Sequence, residues 1–195
     1  MPLIYMVRHG RIADPPADER DPELGPQGRD QAESVAQELV RRIIGPLPIL
    51  TSPLLRCRET AAPLARLWSL EPVVEPRVVE VPSPDSPLLP RQAWLKLALA
   101  ATWAEAAAHG EAVQPGYHGI LHGWRRGVRE AVLACAADTV IFTHYVPINA
   151  MAGEVLGHER MICFRPANAS LSVFETAGGT IRLVELGREA DGRVA

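Results

Sequence analysis

Three short runs of β-forming residues, LIYMV (Leu3–Val7), LPILT (Leu47–Thr51) and TVIFT (Thr139–Thr143), are separated by long segments of helical period. Strands joined through helices lie side by side and parallel, because a parallel pair needs a crossover that a tight turn cannot supply. TVIFT has no polar residue at every second position, as expected of a strand covered on both faces. The segment QGRDQAESVAQELVRRII (27–44) places Ala32, Val35, Ala36, Leu39 and Ile43 on one helical face. LLRCRETAAPLARLW (54–68) and the segments 92–108, 120–136 and 146–156 also read as helices. Two late runs, SLSVFE (170–175) and TIRLVEL (180–186), flank Gly178-Gly179 and predict a hairpin.

The expected architecture is therefore α/β: a three-layer sandwich with a mostly parallel central sheet, a terminal antiparallel hairpin and an inserted helical lobe. The 195 residues suffice for one domain with a sizeable core. Pro72, Pro76, Pro82, Pro84, Pro87 and Pro90 exclude regular helix or central strand from their segment. A short strand is still expected at Pro72–Val74, and residues 76–125 are the natural inserted lobe.

Composition removes several function classes. Net charge is −3, so no basic field argues for nucleic acid. No stretch reaches the ~20 apolar residues of a membrane span, and the first apolar run is too short for a signal peptide. Cys57, Cys135 and Cys163 are odd in number and lack a CxxC spacing. They read as reduced thiols, which gives a cytoplasmic expectation.

Ligands of open α/β sheets bind beyond the carboxyl ends of the strands. The first strand delivers Arg8, His9 and Gly10 to that edge, and TVIFT delivers His144. If these strands pair, the two histidines are neighbours. In TSPLLRCRET, Ser52 is a suitable N-cap and Pro53 a suitable first helical residue. That phasing sets Arg56 near a helix N-terminus, with Thr60 on its face and Arg58 pointing elsewhere. Arginine forks match phosphate oxygens, glycine permits close backbone approach, and neutral histidine is a competent nucleophile. The combination describes a phosphoryl pocket with His9 as the attacking group.

RHG after the first strand, SPLLRCRETA after the second and a histidine after a late strand together resemble the histidine phosphatase superfamily, the phosphoglycerate-mutase-like proteins. LGPQGRDQA (24–32) and Asn168-Ala169-Ser170 extend the resemblance over the chain outside the lobe. The resemblance implies phosphorylation of His9, with Arg8, Arg56 and His144 holding the phosphoryl oxygens and an acid from the lobe side as proton donor. Glu80 in RVVEVPSP is similar in position to that acid, and its apolar neighbours Val79 and Val81 favour it over Glu75 and Asp85. No metal or other cofactor is implied. Arg11 stands where glutamate or glutamine is usual, the loop IADPP lacks an asparagine, and Tyr145 replaces the glycine that commonly follows the second histidine.

The implied activity is metal-independent hydrolysis of phosphomonoesters, with a phosphorylated small molecule as partner in preference to a phosphoprotein. A phosphomutase, a protein-phosphohistidine phosphatase and a non-catalytic phosphate-binding module on the same fold are the alternatives. His118 and His122 are spaced like metal ligands on a helix but have no acidic or cysteine partner at ligand spacing. Trp68, Trp94, Trp103 and Trp124 read as packing residues, with Trp94 a candidate wall of a substrate pocket.

Overall fold

A computed structural model describes residues 1–14 and 21–190. The strands are β1 (Leu3–Arg8), β2 (Ile49–Thr51), β3 (Val73–Val74), β4 (Thr139–Thr143), β5 (Leu171–Ala177) and β6 (Thr180–Glu185). They form one sheet in the order β3-β2-β4-β1-β5-β6. β1, β2, β3 and β4 pair in parallel, whereas β5 runs antiparallel to β1 and to β6. The β5–β6 turn uses Gly178 and Gly179 at φ 54° and 78°, the left-handed conformation that a tight hairpin demands.

Side-chain alternation builds the three layers. Tyr5, Val7, Val140 and Phe142 face α1 (Pro26–Arg42) and α2 (Leu55–Trp68), meeting Val35, Leu39, Ala61 and Leu64. Ile4, Met6 and Ile141 face the opposite way, against α5 (Tyr117–Leu133) and α6 (Tyr145–Leu156). Helix α6 is buried from Tyr145 to Gly153, which accounts for its apolar sequence on every side.

The segment between β3 and β4 holds a 3₁₀ turn (Pro76–Val78), α3 (Arg91–Leu99), α4 (Trp103–Glu111) and α5. The single helix expected over 92–108 is two. Thr102 accepts a hydrogen bond from the Glu105 amide while the Glu105 carboxylate takes the Thr102 amide. This reciprocal cap starts a new helix where composition alone reads continuous. Helix α5 begins at Tyr117 and ends at Leu133, so residue 125, expected to bound the lobe, lies inside it. Trp94 is fully buried and packs edge-on against Tyr117, 5.7 Å between ring centroids, so it is core rather than pocket wall.

Candidate active site

The RHG ending is held by two backbone contacts and one side chain. Arg8 N donates to Ser170 O (3.1 Å), His9 N to Thr143 O (2.9 Å), and Asn168 Nδ2 to His9 O (3.1 Å). The Asn168-Ala169-Ser170 motif thus clamps the end of β1, with Ala169 in the left-handed region at φ 53° to make the turn. Pairing of Arg8 with Thr143 sets the two following histidines side by side, their ring centroids 5.3 Å apart.

The sequence reading of Gly10 requires correction. Its close approach is to helix α1: a Cβ there would lie 2.5 Å from Gly28 O, and one on Gly28 would lie 2.0 Å from Arg11 O. The Gly10 amide donates to Thr60 Oγ1 (3.0 Å), which in turn donates to Arg56 O (2.6 Å). Gly10 therefore docks β1 onto α1 and, through Thr60, onto α2.

Ser52 is not the cap of α2. The helix starts at Leu55, and Asp21 takes the Leu55 amide on both carboxylate oxygens (2.8 and 3.0 Å). Asp21 Oδ1 also lies 3.5 Å from Arg56 Nη1. No local pattern could reveal this contact across 34 positions of sequence. Ser52 is buried with its hydroxyl 2.7 Å from His144 Nε2, and Cys57 Sγ lies 3.4 Å from the same nitrogen. Both are contacts of the site that helix phasing missed. Arg56 is buried and Arg58 exposed, as the spacing predicts.

The electrostatics are those of an anion site. Burial, then the Arg56 and Arg8 charges, pull the His9 imidazole down to about 3, so the ring is neutral. Its Nδ1–H donates to Gly10 O (2.8 Å), which leaves the lone pair on Nε2. Burial also holds His144 well below the usual imidazole range, reinforced by His9 and the arginines, so in this structure its ring adds no positive charge. Arg8 Nη1 donates to Pro166 O (2.8 Å). Arg8 Nε and Arg56 Nη1 are buried without a hydrogen-bond partner among the described residues. Buried unpaired guanidinium donors are costly unless a ligand takes them.

Glu80 follows the 3₁₀ turn and lies at the N-terminus of α6. Its Oε1 accepts from the amides of Val81 (2.9 Å) and Val146 (3.3 Å). Burial nonetheless raises its carboxyl above the ordinary range, outweighing those bonds and the pull of Arg56 and Arg91. Thr143 Oγ1 donates to Val78 O (2.6 Å) and ties this segment to the end of β4. Glu75, in contrast, is held ionised by the Arg77 guanidinium 2.6 Å away, and Asp85 is exposed.

Pro15 and Pro16 of the IADPP loop lie outside the described residues. Arg11 is exposed, with its backbone amide on Gln31 Oε1 and its guanidinium on Gln27 Oε1. The His118 and His122 rings are 4.3 Å apart on exposed positions of α5, and no group of three or more metal-ligating side chains occurs among the described residues. None of the helices described there is long and apolar enough to cross a membrane. The three cysteines are free.

Solved structures share this fold across nearly the whole chain. A mycobacterial glucosyl-3-phosphoglycerate phosphatase in complex with VO3 is 24% identical with a TM-score of 0.64, covering 98% of this chain and 100% of that one. A phosphoserine phosphatase mutant from Entamoeba histolytica, in complex with phosphoserine, is 20% identical with a TM-score of 0.70, covering 95% and 96%. Bacillus stearothermophilus YhfR is 16% identical with a TM-score of 0.72, covering 98% of each chain. No curated protein sequence matches significantly. A profile of the histidine phosphatase superfamily (branch 1) matches residues 4–189, and with RHG, the buried Arg56 and His144 meeting at one sheet edge, the chain belongs to that superfamily.

Proposed function

We propose that the protein is a metal-independent phosphatase that hydrolyses phosphomonoesters of small molecules through a phosphohistidine on His9. The observation that carries this reading is the neutral His9 ring beside the buried Arg56 and the half-buried Arg8, whose Arg56 Nη1 and Arg8 Nε donors make no hydrogen bond among the described residues, Arg56 Nη1 having only the Asp21 carboxylate 3.5 Å away. Relatives named as glucosyl-3-phosphoglycerate and phosphoserine phosphatases support a small phosphorylated substrate. The lobe that begins at residue 76 and runs into α5 brings Glu80 to the site.

In the first step the Nε2 lone pair of His9 forms a bond to phosphorus as the bond to the ester oxygen breaks. The Glu80 carboxyl, whose hold on its proton burial strengthens, gives that proton to the departing alcohol oxygen. Arg8, Arg56 and His144 bind the remaining phosphoryl oxygens, the arginines supplying the charge a metal clamp supplies elsewhere. A bound phosphoryl dianion offsets the arginine field at His144 and increases its affinity for a proton. In the second step the Glu80 carboxylate takes a proton from water, whose oxygen attacks phosphorus. The bond to His9 breaks and inorganic phosphate leaves. A screen of phosphorylated metabolites for phosphate release in excess chelator tests the reading. Turnover of at least one monoester is expected, and activity returning only on addition of a divalent metal would overturn it.

A further inference from the structure

Arg8 reaches the anion site from a strand end, and a long flexible side chain there needs something to fix its plane. Two contacts do so: Pro166 O takes one Nη1 hydrogen, and the Tyr145 ring lies under the guanidinium with Arg8 Cζ 4.8 Å from its centroid. Tyr145 is itself immobilised. It is the first residue of α6, is buried, and its carbonyl accepts from Asn149 Nδ2 (3.0 Å). Asn149 Oδ1 in turn takes the amides of Cys163 (2.9 Å) and Phe164 (3.1 Å).

We propose that Tyr145 is a positioning residue for phosphate binding: its ring face holds the Arg8 guanidinium with Nε available to the phosphoryl group. An aromatic face attracts a cation through its quadrupole and leaves the in-plane N–H donors free, so the contact orients arginine without using a donor. An aliphatic residue would fill the same space without orienting the charge. A glycine, common at this point of the family motif, would leave Arg8 with Pro166 alone. The inference rests on the phosphate-site reading above and concerns only how that site is set.

The test measures binding of inorganic phosphate by calorimetry and inhibition by orthovanadate in Tyr145→Leu, Tyr145→Met and Tyr145→Phe, each with its melting temperature. Two aliphatic variants are used so that one misfolded protein does not decide the result. The aliphatic variants should bind both anions roughly 2- to 30-fold more weakly, the range of a lost cation–π contact, and Tyr145→Phe should recover most of that affinity. Equal affinity in all variants would overturn the inference, as would Tyr145→Phe as weak as the aliphatic variants. Failure of the wild-type protein to bind either anion would overturn the phosphate-site reading, and this inference with it.

Discussion

Replacing Glu80 with glutamine removes both the proton given to the leaving group and the base of the second step, and kcat/KM, which reports the first step, isolates proton delivery. The amide oxygen can still accept the Val81 and Val146 N–H bonds that Glu80 Oε1 accepts at 2.9 and 3.3 Å, so the segment should keep its place. What disappears is one proton on a carboxyl whose affinity for it is raised by burial. General acid catalysis contributes about 10²- to 10⁴-fold where the leaving group departs as a poor alkoxide. Hydrolysis of a glycerol or serine phosphate should therefore slow by about that factor. Nitrophenyl phosphate, whose leaving group departs as a stabilised phenolate, should slow by less than about tenfold. Because a raised carboxyl pKa means protonation persists to higher pH, the wild-type enzyme should lose alkyl-phosphate activity on the alkaline side. The variant should show no such limb. Steady-state kcat/KM for both substrates across pH checks this. An equal loss on both substrates, or a selective loss in Asp85→Asn instead, would refute the assignment.

Arg56→Ala should lower kcat/KM on the order of 10²- to 10³-fold, comparable to losing a preorganised oxyanion donor. The exposed Arg58→Ala should change it less than about threefold if it makes only solvated surface contacts. Equal effects would contradict the helix phasing. Acid stability follows from the two depressed histidines. An unfolded chain takes up histidine protons as pH falls through about 6.5, while folded His9 resists protonation until about 3. Stability should therefore decline across that window, by about 1.4 kcal/mol per pH unit for each such histidine. His9→Asn should shallow the slope of urea-unfolding free energy between about pH 6 and pH 4, and an unchanged slope would show that His9 is not held neutral.

The sheet was legible because β1, β2 and β4 are apolar runs whose flanking helices leave only parallel pairing, and RHG and His144 followed from their strand ends. Arg56 against Arg58 was legible from helical spacing alone, since Arg56 is buried and Arg58 exposed. The helix start was not: an Asp21 carboxylate from a distant loop caps α2, which leaves Ser52 to bond His144. Gly10 was assigned to the ligand because a sequence does not show that Gly28 O would sit 2.5 Å from a Cβ there. Thr102 and Glu105 lie inside the segment 92–108 that reads as one helix, yet their capping spacing was present in the sequence as a signal for two. Long-range contacts and close backbone approaches leave little trace in local pattern, whereas periodicity and strand ends leave a strong one.

The central claim is a covalent bond between phosphorus and His9. Rapid quench of the enzyme turning over radiolabelled nitrophenyl phosphate, followed by peptide mapping, tests it most directly. A protein phosphate that is labile in acid, stable in base, mapped to His9 and missing from His9→Ala is the expected result. Turnover with no trapped label, or with an acid-stable adduct on serine or threonine, would contradict it.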